Sequence, residues 1–365
     1  MAFIITFLGK GGTGRTTAAI AIAQRLAAQG QRTLLLGQPV DPVIAAWVGE
    51  PIHDQPLSVA PNLFVVQPQL TTLLEQGWET VKRLESEYLR TPAFNAIFAE
   101  ELAVLPGMDS ALTMDALRDY DASNQYDCIV YDGTGDQAML RMLGSPDALG
   151  WYLRRFRQIF AESDLAKTLL PLLQPLIGTV FNVDWTSDSF AKPASQVNDL
   201  LDRGKAIISD PARMAAYLVT TGNAAAITMA RYLWGSAQQA GLTVAGAIVT
   251  QVPPFTPVDS SSFAPLPMYT LPWVTDNQWQ AAMEALPDVT DTTHAPRSLE
   301  VNLAERKVRL FLPGFDKKQV KLSQNGPEVT IAAGDQRRNI VLPPELRGKP
   351  VTGAKFQDGY LIISF

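Results

Sequence analysis

The chain contains 365 residues, of which 47% are hydrophobic and 18% charged, and its formal net charge is −6 at pH 7. This length allows two domains, and the composition is that of a globular protein. The excess of acidic residues argues against nucleic acid as a partner. The single cysteine, Cys128, excludes an internal disulfide and any zinc or iron–sulfur site that needs several thiolates from one chain.

The N-terminal segment predicts a cytoplasmic protein with no membrane span of its own. The stretch MAFIITFLG has neither the basic leader nor the cleavage site of a signal peptide. No apolar run reaches the roughly 20 residues that a membrane span needs. The best candidate, residues 168–181, is interrupted by two prolines and a glutamine.

The first 37 residues predict a strand, a glycine-rich turn, a helix and a second strand. Residues 2–8 are apolar except for one threonine and end at Gly9, which is typical of a buried parallel strand. The alanine-rich stretch TTAAIAIAQRLAAQG predicts a helix that Gly30 closes. Residues 32–37 are the second strand, so we expect a βαβ unit in a parallel sheet covered by helices.

Further elements alternate along the chain up to residue 285. Apolar runs predict buried strands at residues 62–68, 126–136, 215–222 and 244–252. Amphipathic patterns predict helices at residues 71–90, 92–104, 110–119, 147–161 and 224–240. Residues 1–285 are therefore predicted to be one α/β domain with helical insertions.

The composition changes near residue 285. Residues 286–296 have no periodicity and are predicted to be a linker. Residues 297–365 alternate between apolar and polar side chains in short runs split by turns, which predicts a small all-β sandwich that folds independently. Within it, Asp358-Gly359 is a favourable two-residue hairpin turn.

The segment FLGKGGTGRTT, which starts at Phe7, has the composition of a phosphate-binding loop. Such a loop needs backbone amides that point into one concavity, glycines where side chains would block phosphates, and a helix N-terminus behind it. Thr16 stands where the hydroxyl ligand of Mg²⁺ belongs. We therefore expect a P-loop NTPase fold that binds ATP and Mg²⁺ through Gly9, Lys10, Gly11, Gly12, Thr13, Gly14, Arg15, Thr16 and Thr17.

The loop resembles the deviant form GKGGxGKT, which marks a family of dimeric ATPases that includes arsenical-pump ATPases and the ATPases that target tail-anchored membrane proteins. The stretches YDCIVYDGTGDQAMLRMLGSPDALGWYL and LPGMDS resemble these two branches in particular. The resemblance implies a homodimer in which Lys10 reaches the partner's nucleotide. It also implies that Asp132 is the carboxylate associated with Mg²⁺, and that Thr250 stands where the family has an adenine-contacting Asn.

The C-terminal segment resembles a second family, the α-crystallin domain of small heat-shock proteins. The stretches LPGFDKKQVKLS and AKFQDGYLIISF are similar to its signatures. Some bacterial and plastid members of the targeting-ATPase family carry such a tail. A generic small sandwich is the alternative that the alternating pattern leaves open.

Three positions depart from the ATPase pattern. Arg15 replaces the lysine that contacts the β- and γ-phosphates, and its longer, forked side chain should preserve nucleotide binding better than rate. Asp41 is our candidate for the aspartate that activates water, but it aligns only with a two-residue insertion; otherwise Pro39 takes that place, and Asp41 opens a turn. Asp136 is a carboxylate new to this segment, and we expect a loop residue rather than a base.

The resemblance also implies a surface that holds a hydrophobic, helical client protein. Apolar residues at helical spacing form such a groove when they face outward. The same spacing is typical of helices that pack inward, so an ordinary core is the alternative. The candidates lie in two segments, 92–104 and 165–178, and are Phe94, Phe98, Leu102, Leu169 and Leu173.

The leading interpretation is a homodimeric ATPase that couples its nucleotide state to client binding. The first alternative is a nucleotide-gated, chaperone-like binding protein with slow turnover, which Arg15 and the C-terminal domain favour. An arsenical-efflux ATPase is a further alternative, and the missing thiols and the single ATPase unit argue against it. The CxxC zinc motif of the eukaryotic targeting ATPases is also absent, so we expect no zinc.

Overall fold

The computed structural model describes residues 1–39, 42–88, 96–104, 107–162, 187–275 and 279–365. The chain divides into two compact units. The first unit comprises Met1–Pro68, Leu117–Gly144 and Ile207–Phe365, and the second comprises Gln69–Ala116 and Ser145–Ala206. Within the described ranges, no helix is long and apolar enough to cross a lipid bilayer.

The described helices are α1 (Arg15–Ala28), α2 (Pro42–Val48), α3 (Leu70–Tyr88), α4 (Met108–Ala122), α5 (Gln137–Glu162), α6 (Ser187–Ser209), α7 (Ala224–Ala240) and α8 (Trp279–Ala285). The strands up to residue 271 are β1 (Phe3–Leu8), β2 (Thr33–Leu36), β3 (Leu57–Ala60), β4 (Leu63–Val66), β5 (Cys128–Tyr131), β6 (Met214–Thr220), β7 (Thr243–Thr250) and β8 (Met268–Leu271). The remaining strands are β9 (Leu299–Asn302), β10 (Lys307–Phe311), β11 (Lys321–Asn325), β12 (Glu328–Ala333), β13 (Gln336–Val341), β14 (Gly353–Gln357) and β15 (Tyr360–Ser364).

Strands β1–β8 form one sheet in the order β3-β4-β2-β5-β1-β6-β7-β8. Neighbouring strands are parallel except β3 and β4, which are antiparallel. This is the mostly parallel α/β sheet predicted from the βαβ pattern, so the fold class is confirmed. Because β1 lies between β5 and β6, the segments that follow these three strands meet at one edge of the sheet.

Strand β1 is buried on both faces. Ile5 and Phe7 belong to the apolar cluster that α1 and α8 close on one face. Thr6 lies between them and points to the other face, where its hydroxyl is 3.7 Å from the sulfur of Met139 in α5. Each fully buried apolar side chain of this size contributes about 1.5–3 kcal/mol to folding, so the central strand is firmly fixed.

Most elements agree with their predicted positions. The six strands predicted from apolar runs correspond to β1, β2, β4, β5, β6 and β7. The helices predicted at 71–90, 110–119 and 224–240 correspond to α3, α4 and α7. The helix predicted at 147–161 begins ten residues earlier, at Gln137. Pro146 lies inside this helix, although an internal proline normally breaks or kinks a helix.

The prediction of a helix over residues 92–104 is wrong for 96–104, the part that the structure describes. Phe98 and Leu102 have extended backbone conformations and flank a single 3-10 turn. The carboxylate of Glu101 accepts a hydrogen bond from the Phe98 N–H at 3.1 Å. This local side-chain bond competes with helix continuation, and apolar spacing alone does not reveal it.

The predicted linker, residues 286–296, has no helix or strand but is anchored to the α/β core. Leu286 and Val289 are buried in the same apolar cluster as α1. A ring nitrogen of His294 lies 2.7 Å from the carbonyl oxygen of Ala245 in β7. The segment therefore follows a fixed path to the C-terminal strands.

Residues 297–365, the β-domain, contain two antiparallel sheets. Their strand orders are β14-β15-β10-β9 and β11-β12-β13. Leu310, Ile331 and Ile363 are fully buried in the core that the sheets share. Asp358 and Gly359 have φ angles of 51° and 75° and join β14 to β15 as the predicted hairpin turn. The predicted small all-β fold is confirmed.

The β-domain packs against helix α7, and both belong to the first unit. Gly235 permits the close approach, because a Cβ there would collide with the carbonyl oxygen of Pro313 and the ring of Phe315. The rings of Tyr232 and Phe315 meet edge to face, with centroids 5.4 Å apart. The sequence predicts a separately folded tail, whereas the structure gives the tail and the α/β core a shared interface.

Candidate functional site

Residues 9–14 connect β1 to α1 at the carboxyl end of the parallel strands, and residues 15–17 form the first turn of α1. Gly12 and Gly14 have φ angles of 79° and 92°, in the left-handed region that favours glycine. A Cβ on Gly9 would collide with the carbonyl oxygen of Val219 in β6. The backbone path of this loop therefore requires glycine at these three positions.

Two buried threonines hold the loop from behind. The hydroxyl of Thr13 lies 2.8 Å from the carbonyl oxygen of Lys10 and 3.1 Å from that of Val219. Thr250 is 2% exposed and donates its hydroxyl to the carbonyl oxygen of Thr13 at 2.7 Å. The geometry gives Thr250 a role in supporting the loop, because its hydroxyl is bonded to Thr13 and shielded from solvent. The adenine contact of Thr250 stays a prediction.

The outer side of the loop is open. Lys10, Gly11 and Gly12 are exposed, and no heavy atom lies within 4 Å of a Cβ placed on either glycine. Thr16 and Thr17 are half-buried in the first turn of α1. A helix N-terminus attracts anions through its unpaired amides and its macrodipole. The opening therefore suits the phosphates of a nucleotide.

Residues 132–136, the β5 loop, lie against the phosphate loop. The N–H of Gly9 donates to the carbonyl oxygen of Gly135 at 3.0 Å. Asp132 is 1% exposed, and its N–H donates to the carbonyl oxygen of Leu36 at 2.9 Å. The amide of Gln38 donates to the next carbonyl, that of Gly133, at 3.1 Å. These bonds fix Asp132 at the carboxyl end of the sheet.

Arg15 is a half-buried cation beside the phosphate loop. Its Nη1 atom is buried, and no hydrogen-bond partner for it occurs in the described part of the chain. This atom lies so close to Gly135 that a Cβ on the glycine would collide with it. Burial lowers the pKa of Arg15, while the nearby carboxylates of Asp132 and Asp136 oppose that shift. The guanidinium stays charged, since arginine does not lose its proton in proteins, and it retains a donor for an incoming anion.

Asp136 caps the N-terminus of α5. One of its carboxylate oxygens accepts the N–H groups of Ala138 at 2.9 Å and Met139 at 3.2 Å, together with the hydroxyl of Thr134 at 2.8 Å. Asp is among the residues that helix N-caps prefer for this reason. The structure thus gives Asp136 a capping role, and its charge also acts on Arg15.

Gly135 is the position that the sequence analysis missed. The available signal was the Gly-Thr-Gly triplet between a buried strand and a helix, which predicts a tight turn. That signal does not reveal that the side chain of Arg15 fills the space beside the glycine. The contact joins residues 120 positions apart, and only the sheet order brings them together.

Asp41, the candidate for water activation, lies outside the described residues. The same holds for three candidates for the client surface: Phe94, Leu169 and Leu173. Of the other two, Phe98 is 63% exposed and Leu102 is half-buried. The structure therefore shows one of the five predicted client positions as an exposed side chain.

The second unit exposes apolar side chains that the sequence analysis did not select. Leu149, Tyr152 and Leu153 are each about half exposed, and their spacing of three and four residues places them on one face of α5. Leu200 on α6 is also about half exposed. One turn later on the same helix, Gly204 packs close to Pro146 of α5. The helical periodicity of α5 was visible in the sequence, but periodicity alone does not show which face of a helix is exposed to solvent.

Comparison with known proteins places these features in context. The chain matches the anion-transporting ATPase family over residues 2–264 and the HSP20-like domain found in ArsA over residues 304–365. A putative arsenical pump-driving ATPase of Chlorobaculum tepidum is 23% identical over 388 residues, which is 99% of this chain and 95% of the relative. An uncharacterised Streptomyces coelicolor protein is 28% identical over 383 residues, which is 98% of this chain and 95% of the relative. An ATPase ASNA1 homolog of Cryptosporidium parvum is 30% identical over 147 residues, which is 39% of this chain and 37% of the relative.

Alanine substitutions at Gly9 and Gly11 should separate the structural glycine from the phosphate-facing one. Gly9→Ala should destabilise the nucleotide-free protein by about 1–3 kcal/mol, because the new Cβ overpacks against Val219. Gly11→Ala should change stability by less than about 0.5 kcal/mol, because nothing lies near its Cβ. It should still weaken ATP binding by about tenfold, since the methyl group enters the phosphate space. Urea unfolding measures the change in stability, and isothermal titration measures the change in ATP affinity. Equal losses of stability in the two variants would contradict the assignment of Gly9 as structural and Gly11 as phosphate-facing.

Proposed function

Because the chain belongs to the anion-transporting ATPase family and ends in the HSP20-like domain found in ArsA, we propose that it is a homodimeric, Mg²⁺-dependent ATPase whose nucleotide state controls the binding of a hydrophobic client protein. One observation carries the nucleotide part of this proposal. The open glycine loop, the buried donor of Arg15 and the carboxylate of Asp132 lie at the carboxyl ends of adjacent strands β1 and β5. Parallel α/β sheets bind their ligands at this edge.

Thr16 and Asp132 fit a magnesium ion by their donor chemistry. Both carry oxygen, the ligand atom that Mg²⁺ prefers in proteins, one in the first turn of α1 and the other at the end of β5. These residues would hold the ion together with the nucleotide. When bound, the ion supplies neutralisation of phosphate charge.

Arg15 binds the terminal phosphates in this proposal. A forked guanidinium can donate to two phosphate oxygens at once, and its Nη1 lacks a competing partner in the described residues. Such a contact stabilises the bound nucleotide, but only contacts that strengthen in the transition state accelerate hydrolysis. Asp41 stays our candidate for the residue that orients the attacking water.

Lys10 supports the homodimer. Its carbonyl oxygen is fixed by the hydroxyl of Thr13, while the residue as a whole is exposed. A long cationic side chain on a fixed backbone at the rim of the site is suited to a phosphate held by a second copy of the chain. Lys10 would therefore act on the partner's nucleotide, and Arg15 on its own.

The exposed apolar side chains of the second unit support client binding. Leu149, Tyr152 and Leu153 form an outward-facing stripe on α5, and Phe98 is exposed in the same unit. Extended apolar surface that faces water is typical of an interaction site. A hydrophobic helix binds such a surface through residues at the same three- and four-residue spacing.

A slow-turnover, nucleotide-gated binding protein is the second candidate, and the geometry of Arg15 favours it. The Nη1 atom of this side chain is buried against Gly135, so Nη1 contacts a phosphate only if the side chain turns. An arsenical-pump function has less support from the chain itself. Its single cysteine, Cys128, is buried in β5 and donates to Gln31 at 2.8 Å, and burial raises its thiol pKa to about 12.

Nucleotide titration of the wild type and of Arg15 variants tests the first part of the proposal. Wild-type protein should bind Mg·ATP with a dissociation constant below about 1 mM. Arg15→Ala should weaken binding by at least about tenfold, because a charge-assisted hydrogen bond is lost. Arg15→Lys should keep the affinity and leave the turnover rate equal or higher, since the charge remains.

The matched control is Arg32→Ala, which removes an exposed arginine that is paired with Asp127 in the same unit. It should leave nucleotide affinity unchanged. Absence of binding to the wild type at millimolar ATP would refute the phosphate-loop assignment. A large loss of turnover in Arg15→Lys would mean that arginine is the residue tuned for catalysis.

Charge substitutions on α5 test the second part. The double variant Leu149→Asp, Leu153→Asp should weaken binding of a fluorescent, leucine-rich helical peptide by at least about tenfold, since each lost apolar contact is worth roughly 1.5–3 kcal/mol when buried. Met229→Asp, at an exposed apolar position on α7 in the first unit, is the control. Peptide affinity should also differ about fivefold or more between ATP-bound and nucleotide-free protein. Equal loss in the control, or affinity that ignores nucleotide, would count against a client surface on α5.

A further inference from the structure

A short chain of hydrogen bonds joins the β-domain to the start of helix α5. Gln336, the first residue of β13, donates its amide to the side-chain oxygen of Gln137 at 2.8 Å. Gln137 in turn donates its amide to the hydroxyl of Ser236 in α7 at 2.6 Å. The side chain of Gln137 is therefore held between the β-domain and the α/β core, and both of its polar atoms are used.

Gln137 is only two residues from the nucleotide site. It follows Asp136, the cap of α5 that acts electrostatically on Arg15. Gly135 lies before that cap, against the guanidinium of Arg15, and accepts the Gly9 N–H. A force that fixes the first turn of α5 therefore also fixes the β5 loop that borders the phosphate loop.

The interface leaves Gln336 little freedom to move away from Gln137. Arg338, two residues along β13, donates its Nη1 to the carbonyl oxygen of Gln238 at 2.6 Å. Gly314 lies so close to the carbonyl of Arg231 that a Cβ there would collide with it. Ser236, the far end of the hydrogen-bond chain, is fully buried. The contacts of Arg338 and Gly314 thus hold the β-domain on α7.

The ion pair between Arg141 and Asp335 is a weaker part of the same contact. It joins α5 to the turn that precedes β13, but both side chains are more than half exposed, at 56% and 76%. Exposed pairs of this kind contribute little because solvent screens them. The half-buried amide chain through Gln137, which ends on the buried hydroxyl of Ser236, is therefore the contact that can transmit an effect.

We propose that Gln336 and Gln137 are positioning residues for the nucleotide site, through which the docked β-domain holds the β5 loop ready for Mg·ATP. This inference rests on the proposed function, because it requires nucleotide at the phosphate loop. A loop that is already ordered has less conformational freedom to lose when the ligand binds, so affinity rises. By linkage, bound nucleotide must strengthen the docking of the β-domain by the same factor.

A double-mutant cycle on nucleotide affinity tests the proposal in the full-length protein. The variants are Gln336→Ala, Gln137→Ala and the double substitution, and the probe is a non-hydrolysable Mg·ATP analogue measured by isothermal titration. Each single variant should weaken binding by about threefold to tenfold, the effect of losing about one hydrogen bond. The double variant should bind no more weakly than Gln137→Ala, within about twofold, because Gln137→Ala already removes the contact with Gln336.

Gln324→Ala is the control for a general loss of β-domain stability. The side-chain amide of Gln324 bonds only within the β-domain among the described residues, to the carbonyl of Lys349 at 2.7 Å and to the N–H of Val351 at 2.9 Å. It should leave analogue affinity at the wild-type value, even if it lowers the melting temperature. An equal loss of affinity in Gln324→Ala would overturn the positioning role.

Hydrogen exchange without nucleotide gives a second, independent readout. Peptides that cover residues 133–141 should exchange faster in Gln336→Ala than in the wild type, and at the wild-type rate in Gln324→Ala. Unchanged exchange in Gln336→Ala, wild-type affinity in both single variants, or multiplicative losses in the double variant would each overturn the inference. Failure of the wild type to bind the analogue would refute the proposed function instead, and the exchange data would still decide whether Gln336 holds the β5 loop.

Discussion

The hydrogen bond from the Gly9 N–H to the Gly135 carbonyl is the constraint on which the rest of the site depends. It forms because β1 and β5 are parallel neighbours, with Thr6 beside Tyr131, so that the loops after both strands leave the sheet at the same level. The approach is so close that side chains on either glycine would collide with neighbouring atoms. The positions of the phosphate loop and the β5 loop are therefore coupled.

The position of Arg15 follows from this junction. Burial of a guanidinium is unfavourable, and the carboxylates of Asp132 and Asp136 offset only part of that cost, because the net effect on the arginine pKa is a decrease. A buried donor without a partner costs about 1–3 kcal/mol. A bound phosphate would supply both the missing acceptor and the missing negative charge. The burial of Arg15 thus favours an anionic ligand beside it.

The β-domain extends the same fixed arrangement to the end of the chain. Helix α7 contacts the sheet on one side and β13 and β10 on the other. Gly235 lets the β-domain approach the helix backbone, and the edge-to-face ring pair of Trp234 and Phe311, with centroids 5.3 Å apart, covers the contact. The α/β core and the β-domain, which match two different family models, therefore pack together through α7.

The sequence reveals features that depend on neighbouring residues. The glycine pattern of the phosphate loop, the βαβ unit that follows it and the Asp358-Gly359 hairpin are local, and all three are present. The packing of Gly235 against Phe315 joins residues 80 positions apart, so no local pattern contains it. The outward orientation of the α5 stripe could not be predicted either, because periodicity identifies a face without its surroundings. The bond from Thr250 to Thr13 is hidden from the sequence for the same reason, since it joins residues 237 positions apart.

The central claim is that the phosphates of ATP are bound between the phosphate loop and the β5 loop, with Arg15 as their buried cation. A crystal structure of the protein with a non-hydrolysable Mg·ATP analogue tests this directly. The account predicts that the guanidinium of Arg15 leaves its contact with Gly135 and donates to a β- or γ-phosphate oxygen at about 2.7–2.9 Å. Phosphates bound elsewhere, or an Arg15 side chain that remains against Gly135 with the nucleotide in place, would contradict it.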